Sequence, residues 1–158
     1  MRYLLVCGLL ATAVTACSSS APNAAAPVIT AVRATSGPNR IHALNEAAHR
    51  HRGESASLAG LLADPDPQVR WGAAYIAALW ADDAADVAAL APLLNDPDAA
   101  TRAVLAGSLA GLGHSGAREA LGALSGSTAP MPFSDPPLTV GRYASDALAA
   151  TLSAGAPR

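Results

Sequence analysis

Two stretches of the chain say nearly the same thing. Leu61–Leu79 reads LLADPDPQVRWGAAYIAAL, and Leu93–Leu112 reads LLNDPDAATRAVLAGSLAGL. Asp64 and Asp96, Leu62 and Leu94, and Arg70 and Arg102 are each 32 residues apart. Self-similarity at such a period means stacked units, each unable to bury its apolar face alone. Within a unit, the Asp-Pro-Asp turn must interrupt any helix, because proline lacks the amide hydrogen and restricts the residue before it. Asp64 or Asp66 can cap the next helix, with Pro67 in its first turn. The expected helices are Arg40–Arg52, Glu54–Ala63, Gln68–Trp80, Val87–Leu94, Ala99–Leu112, Ala117–Leu124 and Leu138–Leu152. A third copy of the turn needs a seven-residue insertion, which sets Asp135 where Asp96 stood and Gly141 where Arg102 stood.

Composition agrees with an all-α stack. Half of the 158 residues are hydrophobic, much of that is alanine, and aromatics are 4%. Alanine is the best helix former and admits close helix packing. All ten basic residues are Arg and form no basic run, against twelve acidic residues, so nucleic-acid binding gains no support.

The amino terminus supplies an address. MRYLLVCGLLATAVTAC has one basic residue, a short apolar run and a small-residue exit, the pattern of a secretory leader. The run is too short to span a bilayer, which takes about 20 apolar residues. Val14-Thr15-Ala16-Cys17 resembles a bacterial lipobox. That resemblance implies cleavage after Ala16, lipid on Cys17, and a place in the cell envelope, on the outer membrane's periplasmic face or the plasma membrane's outer leaflet. Two or more acyl chains give a stable anchor. Cys7 would leave with the leader, so the mature chain would hold no disulfide. Residues 18–39, rich in Ser, Pro and Ala, read as a flexible tether reaching about 25 Å, ahead of a helical domain over 40–158.

The repeats resemble the HEAT repeat, in its short bacterial form LLxDPDxxVRxxAAxAL, from Glu54 to about Leu152. Leu61, Leu62, Asp64, Pro65, Val69, Arg70, Ala73 and Ala74 match it. The second copy has Thr101 for valine, and the third has Gly141 for arginine. The resemblance implies a right-handed α-α superhelix of about three helical pairs behind a capping N-terminal helix. It also implies a structural Asp–Arg ladder of Asp64, Arg70, Asp96 and Arg102. The family works as binding scaffolds, so no catalytic residue and no cofactor are expected, and a fold alone names no reaction.

In such arrays the second helices line a concave face. In register, Trp71 aligns with Arg142 and Tyr75 with Asp146, and these four residues are the candidate protein-binding patch. The alternative is that the N-terminal helix covers Trp71 and Tyr75 as core. The trio His42, Glu46 and His49 shares a helical face but reads as solvated, with Arg50 and Arg52 nearby. Gly113-His114-Ser115-Gly116 reads as a turn, not a nucleophile elbow, which needs a preceding strand. The 126–137 loop, with Met131, Pro132 and Phe133, either carries function or packs over the open end. A homodimer could cover that end.

Overall fold

In the computed structural model, the chain is described over residues 26–33, 38–52, 58–82, 84–134 and 136–154. The leader and Cys17 lie outside them. The described residues hold eight α-helices: α1 Ala26–Arg33, α2 Pro38–Arg50, α3 Ala59–Leu62, α4 Pro67–Trp80, α5 Ala84–Leu90, α6 Ala99–Gly111, α7 Ser115–Leu124 and α8 Val140–Ala154. A 3-10 segment, Ala91–Asn95, continues α5. The helices stack as a repeat solenoid: α2 packs on α4, α4 on α6 and α6 on α8, while α3, the 3-10 segment and α7 back them.

Each interior helix starts as its turn dictates. Asp66 caps α4 by accepting from the Gln68 amide, with Pro67 at the first position, where a missing amide hydrogen costs nothing. Asp98 caps α6 by accepting from the Thr101 amide and hydroxyl. That second bond lets Thr101 stand where a valine would, 1% exposed, without an unpaired hydroxyl. His114 starts α7, its Nδ1 accepting from the Ala117 amide, a capping role for the turn that spells Gly-His-Ser-Gly.

Side chains tie neighbouring helices together. Trp80 Nε1 donates to Ala48 O at 2.7 Å, Tyr75 Oη to Asn45 Oδ1 at 2.9 Å, and Ser108 Oγ to Ala78 O at 2.9 Å. The core is built from small and aliphatic residues, with Leu44, Ile76, Leu105, Leu109 and Leu121 fully buried.

One expectation fails here. The composition of residues 18–39 predicts a tether, yet 26–33 form helix α1, with Val28 and Val32 fully buried. These valines stand at i and i+4, one helical face, and α1 packs on both α2 and α4. The N-terminal helix therefore has a partner of its own and is not a lone cap. Glycine admits this close approach: a Cβ on Gly72 of α4 would sit 3.2 Å from Arg40 Nη2 and 3.5 Å from Val32 Cγ1.

Candidate binding surface

The ladder residues meet as follows. Arg70 grips Asp96 of the next turn with two nitrogens, Nε to Oδ2 at 2.9 Å and Nη2 to Oδ1 at 3.2 Å. Its Nη1 donates back to the carbonyls of Asp64 and Pro65 in its own turn. One planar fork thus joins two repeats, the geometry at which arginine excels over lysine. Both partners are nearly buried, and Asp96 holds the Arg70 guanidinium above its ordinary value. Asp64 is gripped by Arg33 of α1 at 2.6 Å. The Asp66 amide and Arg33 together hold the Asp64 carboxyl below the usual carboxylate range. Arg102 donates to the carbonyls of Asp96 and Pro97, as Arg70 does one repeat earlier.

The patch assembled from the aligned sequence divides into two. Trp71 is 2% exposed, so it offers no open aromatic face. Its ring stacks on Tyr75, with centroids 5.5 Å apart, and meets Phe133 at 5.5 Å. Arg40 lies across the other part of this cluster, its Cζ 4.7 Å from the Phe133 centroid. Arg40 is itself buried and donates to the carbonyls of Val32 and Gln68. Burial lowers its pKa, opposed by the Asp66 carboxylate. Arg40 Nε and Trp71 Nε1 are buried donors without a hydrogen-bond partner among the described residues. Trp71 is thus covered from the 126–137 loop by Phe133 and flanked along its own helix by Tyr75, which α2 holds through Asn45.

That loop leaves α7 and returns as a narrow excursion. Met131 N donates to Leu138 O and Val140 N to Ala129 O, both at 2.8 Å. Phe133 at its tip has φ +57°, the left-handed region that side chains disfavour. Of the loop's two readings, packing describes Met131 and Phe133, both set against the core, although Phe133 meets Trp71 and not the array's end.

Arg142 and Asp146 are exposed and pair with each other along α8, Nε to Oδ2 at 2.8 Å. Asp146 borders a shallow apolar groove of about 360 Å³ between α6 and α8, lined also by Gly107, Leu138, Tyr143 and Ala147. Tyr143 lies on Gly107, where an added Cβ would come within 2.9 Å of the hydroxyl. Burial pushes the Tyr143 phenol up, and the nearby Tyr75 adds to it. Register sets Tyr143 level with Val104 and Gly72, which carries no sign that its ring comes to rest on Gly107 of α6. Leu138, 36% exposed, stands at the rim.

His42 and His49 are exposed and Glu46 pairs with Arg50. No group of three metal-ligating side chains occurs among the described residues. No described helix is long and apolar enough to cross a membrane.

Residues 54–130 match the family model for HEAT repeats. No curated protein and no solved structure matches the chain.

Proposed function

We propose that this HEAT-repeat domain is a protein-binding scaffold held in the cell envelope by lipid on Cys17, and that it takes its partner along a concave face at α6 and α8. HEAT repeats in general mediate protein–protein interaction and scaffolding. The observation that carries the finer reading is the α6–α8 groove: apolar in its floor and bordered by Asp146, beside exposed Arg142 and Leu138. Apolar contact area beside a charged pair is the composition of an interface centre with a polar rim. Tyr75 lies near Tyr143 of that groove, whereas Trp71 is buried and offers no open face to a partner. We assign the domain no catalytic role.

The burial of Trp71 favours a second reading, an accessory envelope protein whose array stabilises a larger complex without a dedicated groove. Cross-linking in cells separates the two. Ala150 is exposed and lines the groove, so Ala150→Arg fills it without touching the core. Loss of a wild-type cross-linked partner in the folded Ala150→Arg variant supports the groove. Unchanged partners favour the accessory role. Cys17→Ser tests the anchor separately: the protein should lose palmitate labelling and leave the membrane fraction.

A further inference from the structure

Three turns of this chain share one hydrogen-bond plan. The amide of the turn's first polar residue donates back three places: Asp64 N to Leu61 O at 3.2 Å, Asp96 N to Leu93 O at 3.0 Å, Ser127 N to Leu124 O at 2.9 Å. The side chain of that residue then accepts from the amide two places on: Asp66 N to Asp64 Oδ1 at 3.0 Å, Asp98 N to Asp96 Oδ1 at 2.8 Å, Ala129 N to Ser127 Oγ at 3.3 Å. Its carbonyl is finally taken from outside: Asp64 O by Arg70, Asp96 O by Arg102, Ser127 O by the Gly141 amide at 3.0 Å. Ser127 therefore holds the place of Asp64 and Asp96. The alignment by letters had put Asp135 there, a residue outside those described.

A serine keeps the turn and drops the charge. Asp64 is gripped by Arg33 and Asp96 by Arg70. Arg102 comes next in the series, and its Nη1 is already fixed on the Asp96 and Pro97 carbonyls. Its Nε and Nη2, the two nitrogens with which Arg70 seizes a carboxylate, meet no carboxylate among the described residues. The guanidinium is thus oriented in advance for a bidentate anion that no described residue supplies there. It lines a cleft of about 660 Å³ between the 3-10 segment and α7, whose walls include Leu94, Ala120 and Leu124. Glu119 borders the same cleft but forms no ion pair with Arg102. None of the cleft's lining residues belongs to the α6–α8 groove.

We propose that Arg102 is an open rung of the ladder: a docking point for the carboxylate of an aspartate-bearing turn on a partner protein. The occupant copies what Asp96 presents to Arg70, one carboxylate on a short stem beside apolar side chains. Carboxylate and guanidinium meet in parallel, two N–H donors against two oxygens, which fixes direction as well as charge.

The test follows the Arg102 Nε–H resonance of the full chain in detergent. The probe is the blocked peptide LLNDPDAA, with the same peptide carrying Asn in place of its first Asp as control. The Asp peptide should shift that resonance saturably, and the control at least about tenfold less. Ser127→Asp should close the rung from within, abolish the peptide shift, and raise the thermal midpoint by about 4 °C. No shift with the Asp peptide overturns the proposal, as does a shift that persists in Ser127→Asp. Movement of the resonance on Asp135→Asn or Glu119→Gln, without peptide, would show that the chain fills its own rung and would equally overturn it. The Ala150→Arg variant should bind the peptide like wild type, so this result stands apart from that of the groove.

Discussion

Helix α4 carries Trp71 and Tyr75 where α6, one repeat on, carries Ala103 and Gly107. The two helices start from turns of the same chemistry, and both hold an arginine that clamps its own turn. They end up covered by different means. The bulky face of α4 is met by Asn45 from α2 and by Phe133 from the loop. The bare face of α6 receives Tyr143 from α8. The volume above each helix is filled either way, and beside the small-residue helix runs the α6–α8 groove. A repeat does not own its core; it shares it with whatever side chain the next unit, or an insertion, can deliver. Dense interiors leave little choice, since unfilled space forfeits contacts.

The comparison is broken most severely at its aromatic side. Trp71→Ala removes the largest side chain of that cluster and should cost about 4 kcal/mol of stability. Gly107→Ala, the mirrored change on α6, sets a methyl against the free end of Tyr143 and should cost about 1 kcal/mol. Denaturant unfolding of both variants checks the difference, and equal losses would mean that the two faces are covered alike.

The arginines sharpen it next. Arg70→Ala leaves the nearly buried Asp96 carboxylate without its partner and should cost about 3 kcal/mol. Arg102→Ala loses only carbonyl bonds at a half-buried site and should cost about 1 kcal/mol. A loss at Arg102 as large as that at Arg70 would show a filled third rung.

The smallest effect lies at the first rung. The Asp64 carboxyl titrates below its ordinary range when folded, so its contribution is present at neutral pH. It is lost as pH falls through the folded value. The stability gap between wild type and Asp64→Asn should hold down to about pH 5 and close as the pH falls on below the ordinary aspartate value of about 4. A gap that survives in acid would mean that the charge of the Asp64 carboxylate does not carry it.

The repeated turns were legible because their information is local. Asp, Pro and Asp impose a break and a cap within a few residues, whatever surrounds them. Helix α1 was not, because Val28, Ile29, Thr30 and Val32 behind Pro27 are all β-branched and look as much like a strand as like two turns of a helix. The burial of Trp71 was one of two readings open in the sequence, but what covers it was out of reach for a different reason. Register told which residues share a face but not that Phe133, in a loop the chain reaches only after another full repeat, would lie on it. Ser127 was missed through its letter: hydroxyl and carboxylate accept the same turn hydrogen bond, and only the latter can also hold an arginine. The loss of arginine at position 141 also needed coordinates. A Cβ there would stand 2.6 Å from the carbonyl oxygens of Ser125 and Ser127, because the helix backbone itself has moved in to bind the turn.

The contact of Phe133 with Trp71 changes how the molecule comes apart. A solenoid touches only its neighbours, so it can open one unit at a time from either end. Here a later loop reaches past α6 to rest on α4, as a clasp bridges the first and last links of a short bracelet. Peeling the C-terminal pair uncovers Trp71, and the penalty falls on a unit that has not yet opened. Stepwise fraying gives way to a single cooperative event, and a very short array gains the all-or-none behaviour of a globular domain.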